Sequence, residues 1–229
     1  MICHNLTIKH DSKELVNISF ELIDSLALVG QSGSGKSLTL KALISLLPSS
    51  LNSTMDIESD FDLIRGETIS FVPQNAFTAL SPMSKIKNQW LGSTSHREEL
   101  FGLLGLDISL IDSFPSELSG GQQQRMIVAM ALSFDPKLLL LDEPTTALDP
   151  KLREDMINIL LKLQEKFGFL MLFVTHDIEV ARRLCRDIVV LKDGVVVESG
   201  TAIDIIQNPK ESYTKRLIES SFANREFRR

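Results

Sequence analysis

The chain has 229 residues, 43% of them hydrophobic, and a formal net charge of −6. That length suits one large α/β domain, or one domain with a smaller lobe. The acidic balance argues against a nucleic-acid-binding face. No apolar run reaches the roughly 18 residues needed to span a bilayer.

The start, Met1-Ile2-Cys3-His4-Asn5, lacks the basic-then-apolar order of a secretory signal. Cys3 and Cys185 are far apart and show no metal or redox spacing, as expected of idle thiols in a reducing compartment. A cytosolic chain is therefore expected. The basic C-terminal end, with Arg225, Arg228 and Arg229, reads as a solvated tail.

Residues 1–29 read as a strand-rich lead-in. Leu6-Thr7-Ile8 and Val16 to Phe20 alternate in the β manner around a turn at Asp11-Ser12-Lys13. Leu26-Ala27-Leu28-Val29 reads as a buried strand. It runs into Gly30-Gln31-Ser32-Gly33-Ser34-Gly35-Lys36-Ser37, which fits the pattern G-x-x-x-x-G-K-[ST] at every defined position. Leu40, Leu43, Ile44 and Leu47 then mark one face of a helix ending near Pro48. In a strand–loop–helix setting, glycines let backbone N–H groups turn inward around an anion, and the helix N-terminus adds its positive end. Lys36 would reach the outer phosphates, and the Ser37 hydroxyl would ligate Mg²⁺.

Residues 49–68 are polar and weakly patterned, and read as loop. Thr68 to Val72 is a short strand, followed by Pro73-Gln74 and an irregular run to Pro82. Residues 84–117 read as short helices, one from Arg97 to Leu104 and broken at Gly105. Leu118-Ser119-Gly120-Gly121-Gln122 opens a helix with Ile127, Met130, Ala131 and Phe134 on one face. Leu138 to Leu141 is fully apolar, as in a central parallel strand, and ends in Asp142-Glu143-Pro144.

Asp149 as N-cap and Pro150 in the first turn start a long helix to Phe167, with Leu152, Met156, Ile159, Leu160, Leu163 and Phe167 inward; Gly168 ends it. Phe169 to Val174 is a further buried strand, running into Thr175-His176-Asp177. Ile188 to Leu191 and Val195 to Val197 form a hairpin around Asp193-Gly194. Two short helices separated by Asn208-Pro209 close the chain.

Strands alternating with helices predict an α/β fold of the phosphate-loop NTPase type. It has a mostly parallel central sheet, an antiparallel β lead-in and a helical insert. The chain divides into an α/β core over 1–75 and 118–229 and a helical subdomain over 76–117. Ligands bind such sheets at the carboxyl ends of the strands. The phosphate loop, Asp142-Glu143 and His176 each follow a strand and are expected to share one edge.

An acidic pair at a buried strand end needs a cation or donors. Beside a phosphate loop, Asp142 would hold Mg²⁺ and Glu143 would polarise the water that attacks the γ-phosphate. His176 could hydrogen-bond that phosphate, although a lone histidine is more often structural. Gln74 could reach the metal or the water. Ser119-Gly120-Gly121 at a helix start is a second anion-binding end, or equally an ordinary glycine-containing N-cap.

Taken in order, Gly30–Ser37, Gln74, Leu118–Gln122, Leu138–Glu143, Ala147-Leu148-Asp149 and His176 resemble the ATPase subunit of ATP-binding cassette (ABC) transporters. The Leu-Ser-Gly-Gly-Gln signature is the specific part, and the resemblance covers nearly the whole chain. It implies ATP and Mg²⁺ as ligands and a head-to-tail dimer, with each ATP held between one subunit's phosphate loop and the other's signature. The implied nucleotide contacts are Gly30 to Leu38, Gln74 and Ser119 to Gln122; the implied metal ligands are Ser37, Gln74 and Asp142. Glu143 would be the catalytic base and His176 the switch histidine. Gln74 would couple the site to the membrane partner, and Asp149 would belong to the loop linking the two sites. The family usually stacks an aromatic residue on adenine after the first strand; the position here is His10.

Thr78-Ala79-Leu80-Ser81-Pro82 and Ser212-Tyr213-Thr214-Lys215-Arg216-Leu217 resemble the dipeptide, oligopeptide and nickel importer branch. The implied partners are two transmembrane permease subunits, docked on residues 76–117, and a second ABC ATPase, the same or a homologous chain. A substrate-binding protein would act indirectly, and no nucleic acid is expected. The chain would then lie on the inner face of the cell membrane. The competing expectation is a soluble ABC ATPase acting on ribosomes or DNA. Such proteins usually carry two cassettes or long coiled-coil insertions, and this sequence has neither.

Overall fold

In chain order the elements are β1 (Ile2–His10), β2 (Lys13–Glu21), β3 (Ser25–Val29), α1 (Lys36–Leu43), β4 (Leu51–Glu58), β5 (Ile69–Val72), α2 (Ala76–Ala79), α3 (Ile86–Gln89), α4 (Thr94–Leu104), α5 (Gly120–Leu132), β6 (Leu138–Asp142), α6 (Pro150–Phe167), β7 (Leu170–Thr175), α7 (Ile178–Leu184), β8 (Asp187–Lys192), β9 (Val195–Thr201), α8 (Ala202–Gln207) and α9 (Ser212–Glu226). This is a computed structural model. It describes residues 1–146 and 148–226, with side chains through residue 221. Ala147, Arg228 and Arg229 lie outside the described residues, and so does the side chain of Arg225.

The chain forms two compact units: Met1–Leu63 with Leu170 onward, and Ile64–Phe169. In the first unit the strand order is β4-β1-β2-β9-β8-β3-β7. β3 runs parallel to both β7 and β8. All five residues of β3 are buried, which is why it reads as a continuous apolar run. α7 packs on β3, β7 and β8, and α1 on β1 and β7. The lead-in is antiparallel: β1 pairs with β2 on one side and β4 on the other.

The β8–β9 hairpin turns at Asp193 (φ 50°) and Gly194 (φ 81°). Two positive φ values make the turn whose twist matches its flanking strands. A Cβ on Gly194 would lie 2.0 Å from the Leu15 carbonyl oxygen, so only glycine fits.

In the second unit β5 and β6 pair in parallel, Val72 opposite Leu141. Leu138 to Leu141 are completely buried. α5 packs on β5, α2 and α4. Over 84–117 the insert consists of short helices, as the sequence predicts: α3, α4 and two 3₁₀ turns at Ile108–Asp112 and Pro115–Glu117; α2 is a single turn in the run read as irregular. α4 is capped by the Ser93 hydroxyl and ends at Gly105 in the left-handed region. Asp149 and Gly168 bracket α6 as expected.

Three readings are corrected. Residues 51–58, read as loop, form the edge strand β4, paired with β1 from His10↔Leu51 to Ile2↔Glu58. The strand is largely exposed, so its ladder of backbone bonds carries it without a core-facing apolar set. The helix after the phosphate loop stops at Leu43 rather than near Pro48, with Ser45 at φ 55°. α5 ends at Leu132, and Phe134 is 46% exposed instead of inward. Met126, Ile127, Val128 and Ala129 are consecutive and all buried, because elements cover α5 on more than one face.

Candidate functional site

In the first unit, Val29 opposes Thr175 in the parallel β3–β7 ladder. Gly30 and His176 therefore leave the sheet at the same carboxyl edge. The loop then turns on Gly33 (φ 84°) and Gly35 (φ 99°) into α1. A Cβ on Gly30 would lie 2.2 Å from the Leu191 carbonyl oxygen, and one on Gly35 would lie 2.6 Å from Val16 Cγ2. Both glycines are thus demanded by close packing, and Gly35 also by its backbone conformation.

Lys36 is buried and folds back on the loop. Its Nζ donates to the carbonyls of Gly30 at 2.7 Å and Gln31 at 2.9 Å. These bonds hold the ammonium at the mouth of the loop. Ser37 and Leu38 are half-buried in the first turn of α1, while Gln31, Ser32 and Gly33 are exposed. The loop thus offers backbone N–H groups, a cation and a hydroxyl, the chemistry of a phosphate cradle.

His176 is exposed between β7 and α7. Its neighbours are fixed: Asp177 donates its N–H to Thr175 Oγ1 at 3.0 Å, and its carboxylate caps α7 by accepting from the N–H groups of Glu179 and Val180. His10 ends β1. Its ring is half-exposed, with Nδ1 3.7 Å from Asp11 Oδ2.

The second unit assembles the other candidates. The β5–β6 register puts Gln74 and Glu143 at one sheet edge, and Gln74 Nε2 donates to Glu143 Oε2 at 3.4 Å. Glu143 has φ 46°, a left-handed conformation uncommon for glutamate. Such strain persists where surrounding contacts over-determine it, commonly at functional sites. One such contact is the Thr146 hydroxyl, which donates to the same carboxylate oxygen at 2.9 Å. Thr146 was not legible as a site residue; its only signal is a hydroxyl three places after the glutamate. Asp142, 5% exposed, ends the buried leucine strand.

Ser119 is the N-cap of α5. Its hydroxyl accepts from the Gln122 N–H at 3.3 Å, and the Gln122 side chain accepts from the Ser119 N–H at 2.8 Å. The signature is therefore a reciprocal capping box. Buried Gln123 pins it from below, donating to the Pro115 carbonyl at 2.7 Å. Ser119 and Gly120 stay exposed, while Gly121 packs on Leu152.

An open groove of about 720 Å³ runs beside Gln74, Phe77, Ser119, Gly120, Asp149 and Leu152. Asp149 both borders this groove and caps α6, accepting from the N–H groups of Lys151 and Leu152 at 3.0 Å each.

Gln74 and Asp142 offer oxygen ligands in the second unit and Ser37 a hydroxyl oxygen in the first, and oxygen ligands suit a hard cation such as Mg²⁺. A buried carboxylate at the end of a leucine strand fits the same purpose. Among the described residues no group of three or more His, Cys, Asp or Glu could hold a metal. Mg²⁺ does not require one, since it is usually held by one or two carboxylates together with waters and phosphate oxygens.

A family model described as ABC transporter matches residues 14–146. The oligopeptide transport ATP-binding protein OppD of Bacillus subtilis is 33% identical over 232 residues, covering 90% of this chain and 65% of the relative. The metal-staphylopine import system ATP-binding protein CntD of Staphylococcus aureus is 32% identical, covering 94% of this chain and 92% of the relative. The chain thus spans less than two thirds of OppD, and 42% of another relative. Among solved structures, the dimeric ATP-binding cassette MJ0796 in a post-hydrolysis state with ADP and Pi matches with a TM-score of 0.70 at 30% identity. That match covers 88% of this chain and 99% of the other.

Proposed function

The chain belongs to the ABC transporter family, and from that premise we propose that it is the ATP-hydrolysing, nucleotide-binding subunit of a membrane importer. The observation that carries this is the signature turn. Ser119 and Gly120 are presented to solvent at a capped helix start, in a chain that also holds a complete phosphate loop. The phosphate loop already accounts for one nucleotide's phosphates, so a second anion-binding end suits a second copy's nucleotide. The dimeric state of MJ0796 supports a paired assembly, and the family resemblance implies its head-to-tail order.

In this reading Lys36 takes the outer phosphates, and backbone N–H groups of Gly33 to Leu38 surround them. Glu143 polarises the attacking water, oriented by Thr146 and Gln74. His176 hydrogen-bonds the γ-phosphate, and His10 stacks on the adenine. Ser37, Gln74 and Asp142 would hold Mg²⁺, which would supply charge neutralisation for the phosphates.

The partners are two permease subunits. Among the described residues no helix is long and apolar enough to cross a membrane. The permease subunits dock on the helical subdomain, residues 76–117, whose Phe77, Met83 and Leu91 are strongly exposed. The chain then sits on the cytoplasmic face. The cargo is a small peptide, after the OppD relative. A metal chelate or nickel is the second reading, favoured by the CntD relative.

The test is a pull-down of tagged Glu143→Gln from detergent-solubilised membranes with ATP. Recovery of two multi-span proteins is expected. Recovery of ribosomes or DNA-repair proteins instead would replace the transport reading with the soluble one.

A further inference from the structure

The peptide of Gln31, inside the phosphate loop, is held from both sides. Its carbonyl accepts from Lys36 Nζ at 2.9 Å. Its N–H donates to the hydroxyl of Tyr213 at 3.1 Å, across 182 positions of sequence. Tyr213 stands in the first turn of α9 and is 8% exposed.

The ring is seated on the same structure that backs the loop. Lys192 Nζ lies 5.7 Å from its centroid, within cation–π range. Lys192 ends β8, just before the Asp193-Gly194 turn, and a Cβ on Gly35 would stand 3.7 Å from the Gly194 Cα. The start of α9 is itself tied down. The Glu198 carboxylate of β9 accepts from the N–H groups of Lys210 at 2.8 Å and Glu211 at 3.1 Å, and Thr214 is wholly buried. Phenylalanine would fill the volume of this ring equally well; the hydroxyl goes to the loop peptide.

We propose that Tyr213 is a positioning residue for the phosphate loop: its hydroxyl fixes the Gln31 peptide, and through that peptide the seat of Lys36. The C-terminal helix is then a strut of the nucleotide site. A loop held in place before the ligand arrives loses less freedom on binding, so the strut acts on ATP affinity. This rests on the reading of the loop as the ATP site.

The test compares the full chain with Tyr213→Phe and with Leu217→Val, a packing change on the same helix. Amide hydrogen exchange at Gln31 is followed without nucleotide, and Mg-ATP affinity is measured with a fluorescent ATP analogue. In Tyr213→Phe, exchange at Gln31 is expected to quicken, and Kd to rise, about fivefold, the size of one neutral hydrogen bond. Turnover at saturating ATP stays within about twofold, as for a lost binding contribution rather than a lost catalytic group. Leu217→Val lowers the melting midpoint but leaves both readouts at the wild-type value.

Unchanged exchange and affinity in Tyr213→Phe overturn the proposal, as does an equal effect of Leu217→Val. If the unmodified chain binds no ATP, the nucleotide reading fails instead. Gln31 exchange then still decides whether the hydroxyl holds the loop.

Discussion

The Gln74 side-chain amide donates to the Glu143 carboxylate at 3.4 Å, although 69 positions separate the two residues. The parallel β5–β6 register makes this possible by bringing both strands to the same edge. A residue at the entrance to the helical insert therefore touches the proposed catalytic base. Movement of the insert by a docked partner would move Gln74 and change how that carboxylate is held.

Replacing Glu143 by glutamine keeps the volume and both neighbours while removing the charge. Steady-state ATP turnover is expected to fall by at least about 100-fold, the usual size of a lost general base. ATP binding, measured by equilibrium titration, should persist. Turnover within about threefold of wild type would remove Glu143 from the chemistry.

Ser119 caps α5 and, in the proposed dimer, would also meet a phosphate. Ser119→Ala loses the cap, at a cost of about 1 kcal/mol in thermal or denaturant unfolding. Ser119→Asp supplies an equally good cap but sets a negative charge where the partner's γ-phosphate would lie. Near-normal stability with turnover nearly abolished is the expected result for Ser119→Asp. Full turnover would mean that the capping box is the whole role of the signature serine.

Glycine substitutions should divide by backbone geometry. Gly194→Ala forces a Cβ to 2.0 Å from the Leu15 carbonyl at φ 81°. A loss of at least about 2 kcal/mol follows, or a melting midpoint lower by roughly 4–8 °C. Gly102→Ala lies in α4 with open space around its Cβ, and should gain about 0.5–1 kcal/mol. A melt that fails to separate the two would contradict the described turn.

Burial raises the Cys3 thiol from 9.0 to about 11, with the Asp56 carboxylate adding to the shift. Cys185 is raised further by the same cause, with Asp24 and Asp187 contributing. Both thiols should resist a thiol-specific reagent at pH 8 in the folded chain and react once it unfolds. Because the folded pKa is raised, the unfolded chain loses its proton first on going alkaline. Stability is then intact below pH 9 and declines as pH rises toward about 11. Denaturant midpoints at pH 8 and pH 10.5 would reveal the decline.

The alternation of apolar strands with helices, the glycine loop and the capping signals at Ser119, Asp149 and Gly168 were all readable from residue order. Each is a local pattern, because burial on one face repeats every two or 3.6 residues and caps sit at fixed offsets. The acidic pair Asp142-Glu143 was also visible in the residue order, since Asp142 ends a run of buried leucines, where a carboxylate is costly without a purpose.

Tertiary structure alone decided the rest. β4 carries Leu51, Met55 and Ile57 on alternate positions, but Ser53 interrupts them and the strand is mostly exposed. Its place is set by backbone bonds to β1, which do not depend on the side chains and leave no mark in the residue order. α5 buries Met126, Ile127, Val128 and Ala129 in succession, so its one-faced stripe shows the helix but not how much of it is covered. The bonds from Gln31 to Tyr213, and from Gln74 and Thr146 to Glu143, are contacts between specific polar atoms. Periodicity records only how much water each residue sees. Which distant polar group meets which becomes defined only once the strands have been set in register.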